Sequence, residues 1–200
     1  MPPGLPPPWV EASSECPTTS TTPEVAVLIT SPSFDTFRTA SNRAKGVVPF
    51  EGTLLSLDPG ETTGYAIFVA TKDSAQLFEA GQLKTWPLDD CIAALDTLLD
   101  KAFPTRQSTN LALFESYNVY AHKLEQHTHS SVPTVQIIGS LKTLLILRKQ
   151  RWITQTAQVG KGFAKDEKLQ KWGFYLEGKK HARDATRHGC YFLLFGHSEL

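Results

Sequence analysis

Thr53-Leu-Leu-Ser-Leu-Asp-Pro-Gly-Glu-Thr-Thr-Gly-Tyr-Ala-Ile-Phe-Val-Ala70 is the stretch on which the reading of this chain turns. Thr53 to Leu57 is an apolar run that stops at Asp58-Pro59-Gly60, a turn sequence, and Tyr65 to Ala70 is a second run rich in strand formers. The two read as strands, with Asp58 where the first one stops, so that its carboxylate projects from the end of a sheet. A third run, Gln76 to Leu83, completes an antiparallel meander.

Working outward, Pro87 and Asp89 introduce Ile92, Leu95, Leu99 and Phe103 at helical spacing, one amphipathic helix with an apolar stripe. Leu111 to Phe114 is a short apolar strand that delivers Glu115 at its end. Pro133 opens a helix carrying Val135, Ile138, Leu141 and Leu145, and Trp152 to Thr156 is a further strand. Asp166 to Tyr175 and Ala182 to Phe195 read as the last two helices. Three strands, a helix, a strand, a helix, a strand and terminal helices make an α/β layered domain, a mixed five-stranded sheet with helices packed on it.

Upstream the composition changes. Residues 1–24 hold seven of the thirteen prolines and a Ser/Thr run from Thr18 to Thr22, and read as a disordered tail with little to pack. Residues 25–52 form a lead-in without a firm assignment, although Val25 to Thr30 is apolar enough for a short strand. The folded domain is expected over residues 53–197, long enough to bury a core without staples.

Three scattered cysteines, Cys16, Cys91 and Cys190, make no CxxC pair, and their odd number argues against a disulfide framework. The expected compartment is therefore reducing and cytoplasmic. No window reaches eighteen consecutive apolar residues, so no membrane span is expected. The formal net charge of zero conceals a division: residues 142–200 carry 12 Lys or Arg against 5 Asp or Glu, and residues 1–141 carry 8 against 15. The last third, at +7, is the candidate phosphate-facing part.

The acidic residues at strand ends are the candidate chemistry. Asp58 and Glu115 occupy equivalent places on two strands, and Asp184 lies on the last helix one turn after His181, the i, i+3 spacing that puts both on one face. If that helix packs beside the strand ends, three carboxylates and an imidazole converge. Like charges so close repel unless cations join them, and oxygen-rich clusters favour Mg²⁺, with Mn²⁺ as the alternative occupant. Two such ions about 3.5–4 Å apart can clamp the attacking water and the leaving oxygen of an in-line phosphoryl displacement. The expected assignment is Asp58 bridging both ions, Glu115 and Asp184 holding one each, and His181 as a ligand or proton-handling group.

The same residues resemble a known family. Leu57-Asp-Pro-Gly-Glu-Thr-Thr-Gly-Tyr-Ala-Ile-Phe68 resembles the first motif of the RuvC-type Holliday junction resolvases and their phage-encoded relatives. Phe114-Glu-Ser-Tyr117 resembles their second acidic motif, and Lys180-His-Ala-Arg-Asp-Ala185 the C-terminal one, in which an acidic residue or a His stands three positions before the last Asp. The resemblance covers roughly residues 53–195. It implies the RNase H-like fold, magnesium, branched DNA as substrate, a homodimer, and cleavage that leaves a 5′-phosphate and a 3′-hydroxyl during recombination and repair. His181 stands where many relatives carry a carboxylate, which shifts the expected preference towards Mn²⁺. Tyr117 and Tyr120 are the nearest candidates for the aromatic that stacks on a base at the crossover.

Lys161, Lys165, Lys168 and Lys171 precede the last motif, with Gly160 and Gly162 flanking the first of them. A loop and helix start here are expected to grip phosphates, Lys161 and Lys165 first. The apolar helix from Thr134 to Leu147 is either a dimer interface or buried against the sheet. Four other readings compete: a nuclease on RNA–DNA hybrids, a catalytically silent nucleic-acid-binding module, an actin-like ATPase, and a zinc site from His181, Asp184 and His188. The ATPase fold needs two copies of the domain, and zinc sites normally take a closed N or S ligand set. His122, His127 and His129 are expected in a polar loop, and His188 on a solvated or DNA-facing turn.

Overall fold

The apolar runs expected as strands from Thr53 onward become strands, and the five strands among the described residues join one sheet. The structure, a computed structural model, describes residues 28–105, 107–117 and 133–196. Its elements are α1 (Pro32–Lys45), β1 (Gly52–Asp58), β2 (Thr62–Ala70), β3 (Ala75–Lys84), α2 (Leu88–Ala102), β4 (Leu111–Ser116), α3 (Pro133–Leu147), β5 (Trp152–Thr156), α4 (Ala157–Phe163), α5 (Asp166–Trp172) and α6 (Lys180–Phe195). The sheet order is β3-β2-β1-β4-β5. β1, β2 and β3 pair antiparallel, whereas β4 and β5 run parallel to β1.

Alternation along β1 sorts its side chains between two cores, because successive residues of a strand face opposite ways. Leu55 and Leu57 face α2 and α3, meeting Leu95 and Leu99 of one helix and Ile137 and Leu141 of the other. Leu54 faces the opposite layer, where Phe68 and Leu113 pack with Leu193 and Leu194 of α6, Phe34 of α1 and Trp172 of α5. The central helix of that layer, α6, lies against β1 and β2.

Helix α1 was not visible in the sequence, although its ends carry ordinary signals. Ser31 Oγ accepts from Phe34 N (3.2 Å), Pro32 opens the helix, and Gly46 at φ 65° closes it. Its buried side chains are Phe34, Arg38 and Asn42, so the inward stripe has the right spacing but only one apolar member. Arg38 is 1 % exposed and donates to three backbone carbonyls: Leu193 (3.3 Å), Thr71 (2.9 Å) and Phe50 (2.8 Å). That guanidinium ties α1 to α6, to the β2–β3 turn and to the entry of β1. Burial lowers its pKa from the ordinary value, partly offset by Asp35, Glu51 and Asp73.

Several boundaries differ from the sequence reading. The loop expected around Lys161, between Gly160 and Gly162, is part of helix α4 instead. Helix α5 stops at Trp172 rather than Tyr175 because Gly173 adopts φ 73°, so that its N–H turns back to Gln170 O and the next N–H, of Phe174, to Leu169 O. Ile29 pairs with Leu77 as an isolated bridge beside β3, while residues 25–27 lie outside the described residues, as do 1–24. On α3 the inner face is buried at Ile137, Leu141 and Leu145, and Val135, Ile146 and Leu147 are exposed on the outer face. No helix among the described residues is long and apolar enough to cross a membrane. Cys91 and Cys190 are free thiols buried in the two cores.

Candidate active site

The acidic residues meet because of strand register and two close backbone approaches. Leu57 pairs with Phe114 in the parallel β1–β4 ladder, so the next residues, Asp58 and Glu115, emerge side by side at the sheet's carboxyl end. Asp58 also faces Gly64 across the antiparallel β1–β2 ladder. A Cβ on Gly64 would lie 2.0 Å from the backbone oxygen of His181, so only glycine lets the first turn of α6 sit on β2 at this point. The start of α6 is held further by His181 N, which donates to Gln82 Oε1 (3.0 Å). Deeper along the helix, Ser56 Oγ donates to Ala185 O (2.8 Å), and Gly189 leaves room for Phe68, whose ring would be 2.4 Å from a Cβ there.

This packing carries Asp184 and His181 to the strand ends. Asp58 and Asp184 are 6 % and 5 % exposed, and Glu115 is half-buried. His181 Nδ1 lies 2.9 Å from Asp58 Oδ2. At the centre is a group the sequence placed elsewhere: the Lys161 ammonium, 2.7 Å from Glu115 Oε2, 3.3 Å from Asp58 Oδ1 and 3.8 Å from Asp184 Oδ2. Sequence reading expected this lysine to face phosphate. It reaches the carboxylates because α4 runs directly over α6, and a Cβ on Gly160 would be 2.7 Å from the His188 ring.

The charges respond to these neighbours. Burial pushes Asp58 above the usual carboxylate range, and Glu115 adds to the push, while His181 and Lys161 work against it. Burial would raise Glu115 as well, but hydrogen bonds from His188 and Lys161 outweigh it and hold this carboxyl at about 2. Lys161 is raised: burial alone would lower it, and the contact with Glu115 and the charges of Asp58, Glu115 and Asp184 reverse the sign.

A second layer supports the carboxylates. His188, expected on a solvated turn, is fully buried on α6, because the i+4 position from Asp184 points at the sheet. Its ring nitrogens lie 3.2 Å from Glu115 Oε2 and 3.0 Å from Gln155 Oε1. Gln155, the β5 partner of Glu115, has its Nε2 buried without a partner. Exchanging the two ends of this amide lets Nε2 donate to His188 Nδ1 and the ring's Nε2–H donate to Glu115. Arg187 donates to Asp184 Oδ1 and to Asp166 Oδ1, and its Nε to Ala164 O (2.7 Å), which fixes the end of α4. The i+4 spacing of His188 and i+3 spacing of Arg187 from Asp184 were the available signals for this layer.

The remaining expected contacts are dispersed. Lys165 is exposed at the start of α5, Lys168 covers the Phe163 ring (4.0 Å to its centre), and Lys171 is exposed. Tyr117 is half-buried against the core under α2 and α3. Tyr120, His122, His127 and His129 lie outside the described residues. Among the described residues no three His, Cys, Asp or Glu side chains stand preassembled around an ion position. The donor set nevertheless fits a hard divalent cation: three carboxylates from three elements share one centre already filled by positive charge.

No protein-family model matches the chain, and no curated protein matches it. Among solved structures, that of Thermus thermophilus RuvC in complex with a Holliday junction substrate is similar, with a TM-score of 0.53 at 14% identity, covering 72% of this chain and 94% of that one. A second Thermus thermophilus RuvC structure gives 0.50 at 14% identity over the same shares. The yeast mitochondrial Holliday junction resolvase gives 0.46 at 13% identity, over 81% of this chain and 93% of that one.

Proposed function

From the premise that this chain has the RuvC-type RNase H-like fold, we propose that it is a divalent-metal-dependent endonuclease that hydrolyses phosphodiesters in branched DNA. The observation that carries this reading is the convergence of Asp58, Glu115 and Asp184 within 3.8 Å of one ammonium at the carboxyl end of the sheet. Asp58, Glu115 and Asp184 are the residues to hold Mg²⁺ or Mn²⁺, with His181 beside Asp58 as a further ligand or proton acceptor. Bound there, divalent ions lower the pKa of water and stabilise charge on the phosphoryl oxygens. The chain's own residues supply the orientation. His188 and Gln155 hold Glu115 in place, Arg187 holds Asp184, and α6 keeps His181 on Asp58. Water adds to phosphorus as the bond to the 3′-oxygen breaks, and that oxygen takes up a proton, leaving a 5′-phosphate and a 3′-hydroxyl.

Junction resolution requires two symmetric cuts, so the active form is proposed to be a homodimer, with the outer apolar face of α3 (Val135, Ile146, Leu147) as its contact. Lys165 and Lys161 are proposed phosphate contacts, and Tyr117 and Tyr120 the base-stacking candidates. The deciding experiment incubates the protein with four-way junction, flap, duplex and RNA–DNA hybrid substrates, in Mg²⁺, Mn²⁺ or chelator. Junction cleavage that needs the metal and disappears in Asp58→Asn while DNA binding persists is the expected result. Cleavage of the hybrid alone moves the substrate to RNA. DNA binding without cleavage under any condition would leave a silent binding module, the reading favoured by the fact that Lys161 already neutralises part of the acidic centre.

A further inference from the structure

Lys161 occupies the space a metal ion would need. An ion held by carboxylate oxygens sits about 2.0–2.6 Å from them, and the ammonium is already 2.7 Å from Glu115 Oε2 and 3.3 Å from Asp58 Oδ1. The two cations cannot share that volume, and a charged lysine beside a divalent ion would also repel it. The ammonium is not trapped: its side chain is 36% exposed, whereas those of Asp58 and Asp184 are 9% and 7%. It closes the acidic centre from the solvent side, on a flexible four-carbon stem.

The scaffold behind it is fixed, so the lysine is delivered to this place by the fold. Gly160 lets α4 pack directly on the His188 ring, and Arg187 holds the carbonyl of Ala164 at the other end of the helix. Only the Lys161 side chain has to move for the centre to open. One ammonium also leaves the centre under-neutralised. It faces three carboxylates, of which, among the described residues, only Asp184 has a second strong cationic partner, Arg187.

We propose that Lys161 is a built-in counter-ion, which holds the three carboxylates together in the ion-free protein and is exchanged for the divalent ion when the site loads. The inference rests on the endonuclease reading of the same site. It separates two roles for one residue: Lys161 binds carboxylates before loading, and its expected phosphate contact belongs to the loaded state. It also makes metal affinity a difference between two occupants, so the lysine weakens ion binding while it prevents like-charge repulsion in the ion-free chain.

The test needs no turnover. Mg²⁺ is titrated calorimetrically into the full chain and into Lys161→Met without DNA, and the thermal midpoint of each is measured in chelator and in saturating Mg²⁺. Lys161→Met is expected to bind Mg²⁺ about tenfold more tightly, a difference of about 1.4 kcal/mol. It is also expected to melt lower than the unsubstituted chain in chelator and to gain more from Mg²⁺. If both proteins bind Mg²⁺ equally, the exchange is wrong and the endonuclease reading stands. If neither binds Mg²⁺ at millimolar concentration, the endonuclease reading falls and takes the exchange with it. Should Lys161→Met not fold, the unsubstituted chain decides. The ¹⁵Nζ resonance of Lys161, assigned by its loss in Lys161→Arg, is expected to be protected from water exchange in chelator and released by Mg²⁺. A resonance indifferent to saturating Mg²⁺ overturns the exchange.

Discussion

Arg38 and Lys161 are both cations brought out of full contact with water, and each meets three oxygens, yet the fold uses them in opposite ways. Arg38 donates to three backbone carbonyls and is 1 % exposed. Those carbonyls are backbone groups with no side-chain torsion by which to turn away, they carry no net charge to attract a replacement, and the guanidinium fork is planar and stiff. Lys161 faces three side-chain carboxylates at a surface opening. Its partners remain charged when it leaves, so another cation can take its place. The nature of the acceptor therefore separates a strut from an exchangeable plug.

The largest test of that distinction is Arg38→Met, which leaves three carbonyls without their donor. It is expected to cost about 4 kcal/mol in urea unfolding, equally in chelator and in Mg²⁺. Recovery of that loss by Mg²⁺ would erase the contrast with Lys161.

Next in size is the acid limb of Glu115. Its folded pKa of about 2 lies below the ordinary 4.5, so its ionised form stabilises the fold above pH 4.5. That contribution, on the order of 3 kcal/mol, is lost as the pH falls towards 2. Glu115→Gln should be less stable than the parent at pH 7, and the gap should close on acidification. Asp58 has the opposite sign, being raised chiefly by burial, so Asp58→Asn should melt higher than the parent at pH 7 in chelator. A constant gap for Glu115→Gln between pH 7 and 3 would show that the acidic centre is not held by charge.

Gly64→Ala follows, at about 2 kcal/mol, because the new methyl meets the His181 carbonyl. Its effect should be larger on Mg²⁺ affinity than on folding, since α6 must lift away from β2. Equal Mg²⁺ binding by the variant and the parent would show that α6 does not set the site. The smallest effect belongs to Lys165→Ala: an unchanged thermal midpoint and a salt dependence of DNA affinity shallower by about one ion. Were it to alter Mg²⁺ binding as Lys161→Met does, the special place of Lys161 would be lost.

The strands and the acidic residues were legible because their signals are local. Apolar runs stop at turn sequences, and Asp58 and Glu115 sit at the stops. Helix α1 was not legible, because an inward stripe of Phe34, Arg38 and Asn42 looks solvated until its partners are known. The stretch around Lys161 read as loop for a related reason. Gly160 weakens the helix locally and is required by a neighbour, the His188 ring, that lies far away in sequence. His188 was misplaced because a histidine on a basic helix looks exposed, although its spacing from Asp184 pointed inward. The placement of Lys161 depends on helix packing alone, and no pattern of residues around it distinguishes a lysine that meets phosphate from one that meets carboxylates.

The pairing of Leu57 with Phe114 has a last consequence. Asp58 and Glu115 each stand one residue beyond the same step of a parallel ladder, and neighbouring strands lie about 4.8 Å apart. That lattice acts as a ruler for the two acids, and the loops joining β2, β3, α2 and β4 between them can lengthen or shorten without altering the measurement.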